Sequence, residues 1–293
     1  MAPDGFCSIV EAIDNANIHG TAHTDCAPGD AIATTIALPP ASAITFTAAP
    51  AATDDGNALP LVTSRIVVRG NGSTWRRDTA AATPAFRFIF VAPGAELAID
   101  GVRFENGLAN VDGTGLGGGA IYSAGVTTIE SCQFVGNVSR SNGGALYLLN
   151  ATASVVNTTI SGNGALGMGE LSGLGGSIMH AALSTGPGLL DLRHVTMEDN
   201  GALAGGGLAA FNFDGSAQAT IANTIVAAAT PGNTCANAGL ITSNGGNVEE
   251  ADVCNFGAPS DRRSVAALLS PRDAATGLFH APRPGSPARC SCR

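Results

Sequence analysis

The chain has 293 residues, with 51 Ala and 39 Gly, only 13% charged residues and no Lys, so all 14 basic side chains are Arg. No apolar run approaches the ~18 residues of a membrane span, and 23 acidic against 14 basic residues (net charge −9) argue against a nucleic-acid or anionic-membrane surface. A hydrophobic content of 45% suffices for a buried core and excludes a disordered chain, and the Gly residues lack the triplet period of collagen.

In chain order, residues 7–18 (CSIVEAIDNANI) come first. They place Ile9, Ile13, Ala16 and Asn17 at helical spacing behind Ser8, with Ser8 and Glu11 spaced as a capping box, which predicts a short amphipathic helix. Residues 27–60 are rich in Ala, Pro and Thr and hold short strand candidates at 34–38 and 44–47. Segments 66–69 and 86–91 look like the first true rungs of a repeat.

The middle of the chain repeats one unit: a short β-like run, an Asn or small-residue turn, then a Gly-Gly turn. Its copies start at Ile99, Ile129, Val155, Leu192 and, degraded, Ile221, spaced 30, 26, 37 and 29 residues apart. The runs are six to eight residues long, rich in β-branched side chains and bounded by Gly and Asn, which marks strands rather than helices. Such units stack as a parallel β-solenoid with turns ~4.8 Å apart. Three inward columns are expected: Ile99/Ile129/Val155/Leu192/Ile221, Val102/Cys132/Thr158/Val195/Thr224 and Phe104/Phe134/Ile160/Met197/Val226. Asn137, Asn163 and Asn200 fall at equivalent corners, where an Asn can take left-handed geometry and pass amide bonds to the next turn. Solenoid ends expose strand edges, and the N-terminal helix is the expected plug. The expected layout is one domain: an N-terminal cap over 1–60, repeats over 61–250 and an irregular, Pro-marked tail over 251–293.

The segment Asp4-Gly5-Phe6-Cys7-Ser8-Ile9-Val10-Glu11-Ala12-Ile13, with Asn15-Ala16-Asn17, resembles the CSLREA-type N-terminal motif of bacterial right-handed parallel β-helix surface proteins. Ile9-Val10 stands where that family usually has Leu-Arg. Further matches follow in order, among them Asp25-Cys26, the Thr63-to-Gly72 stretch, the Gly-Gly-Ala-Ile rungs, Asn223-Thr224-Ile225-Val226-Ala227, Gly245-Gly246-Asn247 and Pro284-Gly285-Ser286-Pro287-Ala288. The resemblance covers nearly the whole chain. It implies a right-handed, pectate-lyase-like parallel β-helix, secreted or displayed at the cell surface or outer membrane, and it brings no agreed catalytic residues. Two departures stand out: Arg289-Cys290-Ser291-Cys292-Arg293 replaces the acidic, Gly-containing end of the family, and Met1-Ala2-Pro3 opens on the motif without a charged or apolar leader. The first is expected of an atypical C-terminus, the second of a signal removed or a start placed late.

Of seven Cys, Cys132 sits in a core column and is expected to be a buried small hydrophobe. Cys7 with Cys26, and Cys235 with Cys254, fall at the two ends where loops need tying, so two disulfides and an oxidising compartment are expected. Zinc is the rival for four Cys, but none of these forms a CxxC pair.

Catalysis on a β-helix would need clustered carboxylates, usually a Ca²⁺, and a basic residue to take a proton. Asp100, Arg103 and Glu105 are the outward positions on one rung, with Glu130 stacking beside Asp100 on the next, and Asp100, Glu130 and Arg103 are the candidates. The column continues with Val156, so too few oxygens are present for Ca²⁺ and no metal or other cofactor is expected. A solvated carboxylate pair on a sheet face is the preferred reading. His194 shares its position with Gly101, Ser131 and Asn157 and is expected to be a corner residue; no nucleophilic triad is supported. The Gly runs lack the Lys-Ser/Thr ending of a phosphate loop, and the sequons at Asn71, Asn137, Asn150 and Asn157 are expected to serve as turns. Inserts at 108–117 and 164–174 enlarge two loops on one side, a place where binding often lives. The expected function is therefore non-catalytic: an exported, monomeric β-helix for adhesion, with a polysaccharide or a cell-surface protein as partner and no nucleic acid. A polysaccharide lyase or glycoside hydrolase is the alternative, and a purely structural stalk the third.

Overall fold

A computed structural model describes residues 4–49, 56–109, 117–167, 172–183, 186–227, 229–270 and 282–288. The chain winds into a parallel β-solenoid of about six turns behind one short helix. Each turn contributes to three faces. Face A stacks Val126–Glu130, Thr152–Val156, Pro187–Arg193 and Ser216–Ala222 on the first halves of Arg65–Arg77 and Glu96–Glu105. Face B stacks Gln133–Val135, Thr159–Ser161, Thr196–Glu198 and Ile225–Val226 on their second halves. Face C is six-stranded, from Ile89–Val91 to Cys235–Ala236. Every neighbouring pair in these ladders is parallel.

The three inward columns stand in register as expected, and every member is at most 1% exposed. Burial alternates along each face A strand, the period-2 signature of a sheet with one wet side. The two Thr in the middle column tolerate burial because each hydroxyl is doubly used. Thr158 Oγ1 donates to Val156 O (2.8 Å) and accepts from Cys132 N (3.3 Å), and Thr224 repeats this with Ala222 and Val195.

The bend between faces A and B is a left-handed residue on successive turns: Gly101, Ser131, Asn157, His194 and Asn223 all have φ between 50° and 62°. His194 is thus a corner residue. At the next corner Asn137, Asn163 and Asn200 form a buried amide ladder. Asn163 Oδ1 accepts from Asn137 N (2.8 Å) and Nδ2 (3.0 Å), Asn200 Oδ1 does the same for Asn163, and each Nδ2 also donates to a carbonyl one turn back. One expectation is corrected here. These Asn do not take the left-handed conformation themselves; Gly136, Gly162 and Asp199 just before them do. An Asn whose amide must point inward to bridge turns needs the preceding residue to make the bend. Of the sequon residues, Asn71, Asn150 and Asn157 have positive φ, and Asn137 is fully buried in the ladder.

The paired glycines have a steric reason. A Cβ on Gly143 or Gly175 would strike the carbonyls of Leu146 and Ile178 on face C, while one on Gly144 would strike Gly176 O of the next turn. Both also require no side chain where the loop folds onto the sheet, and Gly143 and Gly175 have positive φ.

Helix Ile9–Ile18 caps the N-terminal end, with Ser8 and Glu11 forming the expected capping box and Ile13 and Ala16 buried in the main core. The ladder begins earlier than residue 61. Strands Thr34–Ala37 and Ala43–Phe46 already pair in parallel with Arg65–Arg77, so the 27–60 region supplies a rung rather than only a cap. Cys7–Cys26 and Cys235–Cys254 are disulfides, one at each end, and Cys132 is a buried free thiol whose pKa burial pushes up to about 12. Cys290 and Cys292, Arg289 to Arg293, Met1 to Pro3 and much of the two loop inserts lie outside the described residues.

Candidate binding face

The outer side of face A changes character along the solenoid. Its first rungs are charged and cross-paired. Arg65 Nε meets Glu96 (3.1 Å), Arg69 pairs with Asp100, and Glu105 sits between Arg76 (2.6 Å) and Arg103 at the start of face B. Burial alone would raise the Glu105 pKa, but hydrogen bonds from Arg103 and Arg76 and their charges hold it below the usual carboxylate range.

The three catalytic candidates end up as follows. Asp100 and Glu130 are register neighbours, as their spacing implies, but Asp100 is engaged by Arg69 of the rung before. Arg103 lies beyond the left-handed bend at Gly101, where its guanidinium bonds Glu105 and, at 2.8 Å, Gln133 Oε1. The base-like cation is therefore committed to another carboxylate rather than to the Asp100–Glu130 pair. Among the described residues, no group of three or more His, Cys, Asp or Glu side chains is placed to hold a metal ion. No helix among them is long and apolar enough to cross a membrane.

The later rungs are different. Two outward columns run side by side in register: Val126/Thr152/Leu189/Gln218, and Thr128/Ser154/Asp191/Thr220. Together they line an open groove of about 350 Å³. Val126 and Leu189 are 42% and 44% exposed, two aliphatic patches on alternate rungs with Thr152 between them. Beside them stand short hydroxyls and one carboxylate, Asp191, held by Thr220 Oγ1 (2.8 Å) and Arg193 Nε (2.7 Å). Hydroxyl, amide and carboxylate groups beside apolar patches suit a ligand that offers many hydroxyls and C–H faces.

These groove residues are absent from the candidates that the sequence suggests. Their signal is present all the same: each lies one or three positions before an inward residue of the first core column, on the outward beat of the strand alternation. Most of them cannot titrate, so a pattern of ionisable groups does not mark them. Searches against protein-family models, curated proteins and solved structures found no match.

Proposed function

We propose that the chain is a non-catalytic, exported β-solenoid that binds a neutral polysaccharide through the groove on face A. The observation that carries this reading is the pair of partly aliphatic, hydroxyl-rich columns around Thr152, Leu189 and Gln218, whose one carboxylate, Asp191, is ion-paired with Arg193, set on a rigid ladder. Two disulfides support an oxidising, extracellular setting, and the resemblance to CSLREA-type surface proteins supports export. Surface display and adhesion are the roles this reading implies.

The test is a panel of immobilised neutral and acidic polysaccharides with the intact chain and two groove variants, Leu189→Asp and Thr152→Arg. Saturable binding to a neutral glycan, weakened at least tenfold by either variant, is expected. Binding that both variants leave unchanged would sink the groove. Release of reducing ends or unsaturated products, abolished by Asp100→Asn or Glu130→Gln, would establish the lyase or hydrolase reading in its place.

A further inference from the structure

The C-terminal end of the bend between faces A and B holds a second cavity, of about 590 Å³, unrelated to the groove on face A. It is lined by the corner residues His194, Asn223 and Gly246, by Ile225 and Val248 of face B, by Ser260 and Arg262 of the end loop, and by Pro287 and Ala288. Its wall is therefore partly apolar and partly polar, with a single guanidinium.

That guanidinium differs from those on the sheet faces. Arg65, Arg69, Arg76, Arg103, Arg193 and the adjacent Arg263 each meet a carboxylate. Arg262 instead donates from Nη1 to two backbone carbonyls, Asp261 O at 3.1 Å and Ser260 O at 3.5 Å. Its charge is not neutralised by an ion pair among the described residues, and its Nε–H and Nη2–H remain unused there. Those two groups are the parallel donors that match the two oxygens of a carboxylate. The position is rigid as well. Arg262 N donates to Asn247 O (2.8 Å) and Arg262 O accepts from Glu249 N (2.8 Å), which ties the residue to the last rung.

Other polar groups converge on the same space. His194 and Asn223 stand on successive left-handed corners, both exposed, and neither side chain has a hydrogen-bond partner among the described residues. Asn223 Oδ1 lies over Gly246, where any Cβ would collide with it. The nearest carboxylate in sequence, Asp261, is saturated from the other side by Ser243 Oγ (2.6 Å), Asn247 N (3.0 Å) and Nδ2 (3.1 Å) and Ala258 N (2.8 Å).

We propose that this cavity is a binding site for a small organic carboxylate. Its carboxylate is held side-on by Arg262, its polar body meets Asn223 and His194, and its apolar flank rests on Ile225, Val248 and Pro287. One guanidinium matches one monoanion, and the space is larger than an inorganic ion needs. Two sources share this chemistry, a sugar acid and an acylated amino acid, and the probes separate them.

The experiment titrates the intact, oxidised chain with glucuronate and with N-acetylalanine, followed by calorimetry and by amide chemical shifts. Glucose, N-acetylalanine amide and inorganic phosphate are the controls. Saturable binding of at least one carboxylate is expected, with shifts centred on Asn223, Gly246 and Asn247. Arg262→Ala should weaken it at least tenfold, and Arg262→Lys, which keeps the charge but not the fork, should recover only some of that loss. Binding of neither carboxylate overturns the proposal. So does equal binding of a neutral counterpart or of phosphate, or full affinity in Arg262→Ala with an unchanged circular dichroism spectrum.

Discussion

The two ends of the solenoid meet one physical demand, covering an open stack of strand edges and core side chains, in opposite ways. The N-terminal end uses a helix, whose backbone is satisfied internally apart from its first and last turns. Its side chains do the remaining work: Ile13 and Ala16 enter the core, and Asn17 bonds Leu61 O (2.7 Å) and Thr63 N (3.0 Å). The C-terminal end uses irregular loops, which carry backbone N–H groups with no ladder to join. Buried carboxyl and amide side chains take them up. Glu249 Oε1 accepts from Val253 N (2.9 Å), Cys254 N (3.0 Å) and Thr234 Oγ1 (2.7 Å), and Asp261 fills the same role in the following loop. A helical cap thus satisfies most of its own backbone and needs one buried amide, Asn15, to take up Ala22 N and His23 N (2.8 Å each) in the loop behind it, whereas a loop cap depends on several polar residues throughout.

The disulfides give the sharpest way to break that comparison. Both join cysteines 19 residues apart, so loop-closure entropy assigns each about 3 kcal/mol. Their surroundings differ: Cys7 is exposed and Cys26 is 6% exposed, whereas Cys235 and Cys254 are both buried, at 4% and 0%. Removing the pair in which both cysteines are buried leaves the larger cavity and loosens the loop that Glu249 holds. Cys235→Ala/Cys254→Ala should therefore lose about 3–5 kcal/mol against about 3 kcal/mol for Cys7→Ala/Cys26→Ala, measured by urea unfolding under non-reducing conditions. Equal losses would mean that the loop cap is no more dependent on its tie than the helix.

Between the ends, the Asn ladder couples one turn to the next. Asn163 sits at its centre and bonds both neighbours, so Asn163→Ala leaves Asn137 N–H without its acceptor, takes one of the two acceptors from Asn137 Nδ2, which keeps Phe104 O, and removes the amide donor to the Phe134 carbonyl inside the core. A loss of about 2–3 kcal/mol follows from leaving buried polar groups unpaired. Because a solenoid is held by nearest-neighbour contacts, the same change should let the two ends unfold at separate midpoints. A single transition shifted to lower urea would show that the hydrophobic columns alone carry the coupling.

The features legible in the sequence were those with a local or periodic cause. The capping box at Ser8 and Glu11, the three inward columns and the two disulfide pairs each follow from spacing, and all stand as expected. Illegible were features that depend on which side of a stacked face a residue meets its neighbours. That Asp100 would be taken by Arg69 depends on register with a rung whose place in the ladder no repeat spacing defines, whereas the Arg103–Glu105 pair, two residues apart on one strand, needs no register with another rung. The left-handed bend at Gly136 and Gly162 rather than at the following Asn depends on where the amide must point. The cavity at Arg262 is built from corners of three turns and an irregular tail, and no repeat marks it.

The smallest effect at neutral pH is a titration that separates the middle of the molecule from its N-terminal end. His180 points into the core from face C, fully buried, with neither ring nitrogen in hydrogen-bond geometry, though backbone groups of Gly188 and Gln218 lie near. Burial pushes its pKa down. A base that stays neutral in the folded state but protonates in the unfolded one makes folding less favourable as pH falls below the ordinary imidazole value of about 6.5. Glu11 behaves in the other window. The Ser8 backbone N–H and hydroxyl hold its pKa below the ordinary 4.5, so its contribution is full above that value and is lost as pH falls through the lowered one. Asp30, Asp78 and Glu105 are also held low and share this lower window. The melting temperature of the wild type should therefore fall in two stages on acidification. His180→Leu should flatten the stage that begins near pH 6.5 and leave the stage below 4.5 intact. Ser8→Ala should cost about 1 kcal/mol at neutral pH and soften only the lower stage. A His180→Leu curve parallel to the wild type above about pH 5 would mean that the ring is satisfied in solution by a group or water that the fold admits to the core.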